Sequence, residues 1–109
     1  MMIWRDELEN EFEQAQLARD QGNEGKARVC ARRAAGIAIR EYYARKGRHL
    51  HTTSAYDLLR MLAEEPKLSP DLVRAAAYLT LRVTEEFKLP VEVDLLVEAR
   101  TLCNGLLAE

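Results

Sequence analysis

The sequence predicts an all-α protein, an up-and-down four-helix bundle with one additional short helix. Three observations support this prediction. Apolar residues recur every three or four positions in five segments. No segment shows the strict alternation of a half-buried strand, and short breaks with Gly or Pro separate the segments. At 109 residues the chain is expected to form one domain, 1–109, with a modest core.

The first two helices are predicted on either side of a glycine-containing break. They span about residues 4–21 and 24–46, with Asn23 as the N-cap of the second. The predicted buried stripe of the first is Trp4, Leu8, Phe12, Ala15 and Ala18. The predicted buried stripe of the second consists mostly of small side chains: Ala27, Cys30, Ala31, Ala34, Ala38 and Tyr42. Small side chains predict that a neighbouring helix packs closely against this face.

Three shorter helices are predicted to follow. Ser54 caps a helix that begins at Ala55, Ser69 precedes a helix over about residues 70–87, and a last helix covers about 91–108. The third is expected to bury Ala55, Leu58, Leu59 and Leu62. The fourth is expected to bury Leu72, Val73, Ala76, Leu79, Val83 and Phe87. The fifth is expected to bury Leu95, Leu96, Ala99, Leu102, Cys103 and Leu106, and to fray at Asn104-Gly105.

Charge and composition exclude several classes of protein. The net charge is −2, and no apolar run is long enough to span a membrane. The acidic N-terminal stretch predicts neither a signal nor a transit peptide, so we expect a cytoplasmic protein. Two distant cysteines without a CxxC motif predict buried, reduced thiols. His49 and His51 lack neighbouring ligands to complete a metal shell, and we expect no metal and no cofactor.

Basic residues concentrate in residues 26–51, which hold eight of the sixteen Lys and Arg. The candidate phosphate-binding residues of this region are Lys26, Arg32, Arg33, Arg40 and Arg48. Lys26, Arg33 and Arg40 repeat at seven-residue spacing, so one helix face can follow a phosphate backbone. The alternative is that the arginines pair with Glu9, Glu11, Glu13 or acids of the last helix. We favour this alternative at this stage, because the chain is acidic overall.

The order of motifs resembles a known family. From Glu11 to Leu107 the chain contains "GNEGKA", "ARVCARRAAGIAIREYY", "HTTSAYDLL" and "DLLVEARTLCNGLL" in succession. In this order they resemble the HEPN (higher eukaryote and prokaryote nucleotide-binding) domain family. The resemblance implies a dimeric helical bundle that partners a minimal nucleotidyltransferase, acts as a ribonuclease toxin, or binds nucleotides or RNA without cleaving them.

The ribonuclease members of that family carry an Arg followed four to six residues later by His near the end of the fourth helix. Here "RVTEEFKLP" places Arg82 correctly but has Phe87 five residues on. Phenylalanine cannot transfer a proton. We therefore expect no catalytic residue, and Arg82 remains a candidate phosphate ligand.

The leading hypothesis is a non-catalytic, homodimeric HEPN-like binding or accessory module in a prokaryotic toxin–antitoxin or defence system. One alternative is a metal-independent HEPN-type ribonuclease that uses Arg82, Arg45 and His51 in a displaced arrangement. Another alternative is a protein–protein adaptor bundle with no nucleic-acid function.

Overall fold

The chain folds into an all-α helical bundle, as predicted. The computed structural model describes residues 3–81 and 92–108, and these residues contain no β-strand. The helices of the described residues are α1 (Ile3–Asp20), α2 (Glu24–Ala44), α3 (Ala55–Ala63), α4 (Pro70–Leu79) and α5 (Leu95–Leu106). None of these helices has the length and apolar character that a membrane crossing requires.

Helix α2 is the centre of the bundle. It packs against α1, α3 and α5, while α4 packs against α3 and α5. Its buried face is small, as predicted, and consists of Ala27, Cys30, Ala31, Ala34, Ala35, Gly36, Ala38, Ile39 and Tyr43. At Gly36 a methyl group would lie 3.4 Å from the Cβ of Ala55, so α2 and the start of α3 approach at van der Waals distance. The short side chains therefore set the spacing of the helices around α2.

The predicted helix starts of α2 and α3 are confirmed by their caps. The Asn23 side chain accepts a hydrogen bond from the backbone N–H of Lys26 at 3.1 Å. Ser54 Oγ accepts one from the backbone N–H of Asp57 at 3.3 Å. Each cap satisfies a backbone donor that has no partner within its helix. Gly47 follows α2 with φ +78°, a conformation that L-residues with side chains rarely adopt.

Two helix boundaries differ from the prediction. Helix α4 ends at Leu79 with Thr80 as its C-cap, short of residue 87, and Val83 and Phe87 lie outside the described residues. Helix α5 begins at Leu95 rather than near residue 91, because the Asp94 side chain accepts hydrogen bonds from the first backbone N–H groups of that helix.

Several burial predictions also need correction. Tyr43, at 2% exposed, occupies the core position predicted for Tyr42, which is only half-buried. Neighbouring residues on a helix point about 100° apart, so a small rotation of the helix exchanges them. Four further residues predicted as core are also half-buried: Trp4, Ala55, Leu72 and Val73.

Gly105 does not mark fraying, since α5 continues to Leu106. A methyl group at this glycine would lie 2.5 Å from Leu72 Cδ2, so the absent side chain makes space for α4. The Asn104-Gly105 pair, which predicted a frayed end, therefore lies at a close contact between α4 and α5.

Candidate functional site

An exposed basic row lies along α2. Lys26, Arg33 and Arg40 are all exposed, and they span about 21 Å along the helix axis. None of the three forms an ion pair or a side-chain hydrogen bond with any residue in the part of the chain that the structure describes. The favoured expectation that acids of α1 neutralise this row is therefore wrong for these three residues.

Two members of the row line an open groove between α1, α2 and the segment that precedes α3, which we call the α1/α2 groove. Its volume is about 460 Å³, within the range of small-molecule sites. The polar side chains along it include Glu11, Arg33 and Arg40. Its apolar lining includes Val29, Ile37 and Ala55. The groove thus combines cationic groups with apolar surface that an aromatic ring can cover.

The α1/α2 groove continues towards the far end of α2. A second recess of about 290 Å³ shares Ile37 and Arg40 with it and extends to Trp4 and His49. The half-buried indole of Trp4 lines this recess, with the guanidinium carbons of Arg5 and Arg45 at 5.1 and 5.6 Å from its ring centroid. The exposed imidazole of His49 lies at the rim. Aromatic faces in such a recess can stack a nucleobase.

Among the residues that the structure describes, Glu11 is the one acid that lines the 460 Å³ part of this groove. Its residue is half-buried, and its Oε2 atom is buried without a hydrogen-bond partner. Buried carboxylate oxygens normally have a donor, because an unsatisfied one loses its hydration without compensation. The ion pair between Glu11 and an α2 arginine that the sequence suggests does not form.

Arg32 has a structural function in the bundle. Its Nε donates to the carbonyl oxygen of Leu79 at 2.8 Å, and its Nη2 donates to that of Leu81 at 2.9 Å. Carbonyls at the end of a helix lack partners within the helix, and the guanidinium satisfies that of Leu79, the last residue of α4, together with that of Leu81 just beyond it. Burial and the nearby Arg28 lower the pKa of Arg32. Two of the five N–H donors of this candidate phosphate ligand are therefore engaged inside the protein.

The other candidate cations lie elsewhere. Arg48 is exposed beyond the end of α2, with its guanidinium carbon 4.9 Å from the ring centroid of Tyr43. It does not line the 460 Å³ part of the groove. Arg82 and Phe87 lie outside the described residues, so the predicted motif at the end of the fourth helix is not described by the structure.

The displaced ribonuclease arrangement gains no support from the geometry of Arg45. Its Nε lies 3.0 Å from Glu41 Oε2, and its guanidinium carbon lies 5.6 Å from the ring centroid of Trp4. His51 is exposed and has no hydrogen bond with Arg45. Within residues 3–81 and 92–108, no group of three or more His, Cys, Asp or Glu is placed to hold a metal ion.

Both cysteines are buried and free, as predicted. Burial raises the pKa of Cys103 to about 12. A buried thiol with a raised pKa stays protonated at neutral pH and is a poor nucleophile. Cys103 is therefore not a candidate catalytic group.

A second groove separates α1 from α5 and is bridged by two sets of ion pairs. Arg19 lies 2.6 Å from Glu24 and 3.0 Å from Asp94. Hydrogen bonds from Arg19 lower the pKa of both carboxyl groups. Arg100 lies 2.8 Å from Glu9. Both arginines that line this groove are therefore paired with acids, in contrast to the row on α2.

Comparisons of the chain with protein-family models, with curated proteins and with solved structures found no match.

Proposed function

We propose that this chain is a non-catalytic binding module that holds a phosphate-bearing ligand, a nucleotide or an RNA strand, along the basic row of α2. The observation that carries the proposal is the state of Lys26, Arg33 and Arg40. These cations share one face and have no ion pair with the described acids, and two of them, Arg33 and Arg40, border a groove with an apolar lining. Salt bridges elsewhere show that arginines of this protein find acids when acids are within reach.

In this proposal the phosphates contact the row and a base covers the apolar lining. Arg33 and Arg40 are separated by about 10 Å along the helix, so two phosphates of a strand can be held at once. The lining offered by Val29 and Ile37, and the indole of Trp4 in the adjoining recess, suit planar rings. Electrostatic attraction supplies affinity without reading a sequence.

Membership of the HEPN family, a homodimer and a nucleotidyltransferase-type partner are further parts of the proposal. They are supported by the order of motifs along the sequence and are compatible with an all-helical bundle. The absence of catalysis is supported by Phe87 at the position where the family's ribonucleases carry histidine. It is also supported by the engagement of Arg45 with Glu41.

The test is binding of a short fluorescent oligoribonucleotide, followed by anisotropy over a series of salt concentrations. For single strands, each lost phosphate contact flattens the slope of log K against log salt by about 0.7. We expect Arg33→Gln with Arg40→Gln to flatten the slope by about 1.4 and to weaken binding at low salt. The control is Lys67→Gln with Arg74→Gln, which removes two exposed cations outside the groove.

Two outcomes would refute the proposal. One is an undetectable interaction of the wild-type protein at low salt. The other is an equal loss of binding in the control pair, because the attraction would then come from overall charge rather than from the row. An unchanged far-UV circular dichroism spectrum in all variants shows that folding is preserved.

A protein-binding adaptor is the second candidate function, and the exposure of two apolar side chains favours it. Val97, 57% exposed on α5, lines the groove between α1 and α5, and Leu17 on α1 is 49% exposed. Val97→Asp would abolish binding to a protein partner or a second copy at this groove, and it would leave RNA binding unchanged. Light scattering after gel filtration measures the effect on self-association.

A further inference from the structure

A carboxylate such as that of Glu11 is not expected in a groove that binds only phosphate. A carboxylate repels a phosphate, yet Glu11 lines the same groove as Arg33 and Arg40 and pairs with neither. One of its oxygens is buried without a donor. The other oxygen, Oε1, also has no partner among the described residues but is not buried, so a ligand in the groove can reach it.

A ligand that carries both an anion and a hydrogen-bond donor accounts for all three residues. A pure polyanion would satisfy the arginines and oppose Glu11, and a cation would do the reverse. A ribonucleotide unit carries a phosphate and, on the adjacent sugar, hydroxyl donors. Within an RNA strand the 3′-oxygen is esterified, so the 2′-hydroxyl is the sugar's remaining donor.

We infer that Glu11 makes the α1/α2 groove selective for ribonucleotides over deoxyribonucleotides by accepting a hydrogen bond from the ribose 2′-hydroxyl. The inference rests on the proposed function, since it assumes that phosphate is held by Arg33 and Arg40. With phosphate on these residues, the adjoining sugar is the part of the ligand nearest to the polar side of the groove. The base then covers Val29 and Ile37.

The chemistry of Glu11 also predicts how deoxyribose is rejected. A ligand without the 2′-hydroxyl brings its phosphate into the field of Glu11 and offers no donor in return. A hydrogen bond to a charged acceptor corresponds to roughly a tenfold preference or more. Removal of the carboxylate should therefore abolish the preference by strengthening binding of the deoxyribose form, while the ribose form changes less.

The experiment compares oligouridine with oligodeoxyuridine, which differ only in the 2′-hydroxyl, at one fixed low salt concentration. The wild-type protein is expected to bind the ribose form about tenfold more tightly. We expect Glu11→Ala to bring the two affinities within about twofold, and Glu11→Gln, which keeps an acceptor oxygen, to retain part of the preference. Glu13→Ala removes an exposed acid of α1 that does not line this groove and should leave the ratio unchanged.

The possible failures are distinguishable. If wild-type protein binds both oligomers equally, or if Glu11→Ala keeps the full preference, the inference about Glu11 is overturned while the phosphate-binding proposal stands. If wild-type protein binds neither the oligomers nor the corresponding monophosphates, both are overturned. Calorimetric titration with uridine and deoxyuridine monophosphates separates a free nucleotide from a strand as the source of the same chemistry. A preference for the ribose form that is seen only with the oligomers identifies an RNA strand as the ligand of the groove.

Discussion

Arg32 offers the sharpest test of how this bundle is held together, because its two hydrogen bonds join the middle of α2 to the end of α4. In Arg32→Met the side chain keeps most of its apolar stem but loses the donors to the carbonyls of Leu79 and Leu81. Hydrogen bonds to a charged group contribute about 1.5–3 kcal/mol each. Part of this gain is offset by the burial of the guanidinium, which is the main cause of its lowered pKa.

We therefore expect Arg32→Met to lower the free energy of unfolding by about 2–3 kcal/mol, which corresponds to about 8–12 °C in Tm for a domain of this size. Chemical denaturation followed by circular dichroism measures the change. The matched control is Arg33→Met, the neighbouring arginine without a partner among the described residues, which should stay within about 0.5 kcal/mol of wild type. Equal stability of the two variants would refute the assignment of Arg32 to the helix end. A loss of RNA binding in Arg32→Met at unchanged stability would instead make it a ligand residue.

Three further outcomes follow from the structure. Gly36→Ala should raise the free energy of unfolding by up to about 1 kcal/mol, because alanine favours the helix and its methyl group meets α3 at 3.4 Å; a lower Tm would show that the two helices cannot accommodate it. Burial raises the pKa of Cys103 to about 12, so its thiol should resist an aromatic disulfide reagent at pH 8 until denaturant is added, and rapid labelling in native buffer would contradict this. Hydrogen bonds from Arg19 lower the pKa of Glu24 and Asp94 from ordinary values of 4.5 and 3.8. The two ionised carboxylates therefore stabilise the folded protein fully when the pH is above those ordinary values. This contribution to the free energy of unfolding is lost as the pH falls through and below them. Asp94→Asn, which keeps a capping oxygen, should be less stable than wild type at neutral pH, and the difference between their unfolding free energies should shrink on acidification; a pH-independent difference would speak against the ion pair.

The sequence predicted the helices well where local signals define them. Asn23 and Ser54 cap the helices that they were expected to cap, and the small stripe of α2 faces its neighbours. The start of α5 was placed too early, because the capping function of Asp94 was overlooked although Asp is a favoured N-cap residue. The exchange of Tyr42 and Tyr43 has a different cause. The rotation of a helix about its axis is set by the helices that pack around it. The apolar periodicity of one segment defines this rotation only to within about one residue, or about 100°.

The candidate site was predictable only in part. The seven-residue spacing of Lys26, Arg33 and Arg40 placed them on one face from the sequence alone. Whether these cations were neutralised could not be read from the sequence, since it depends on where the acids of α1 point. Arg32 lies beside Arg33 in the sequence, yet it contacts carbonyls 47 and 49 positions away. Glu11 was considered only as an ion-pair partner, and its isolation in the groove is a property of the packed helices.

The alanine-lined face of α2 reverses the usual pattern of sensitivity to mutation in a protein core. Ala31, Ala34 and Ala35 are 0% exposed, and truncation of a methyl group leaves only a small void. Enlargement of these three alanines is different, because added carbons would have to fit between α2 and helices that already pack closely against it. Random mutagenesis should therefore find this helix intolerant of Val, Leu and Ile and permissive towards Ser and Gly, the opposite of what a leucine-rich centre would give.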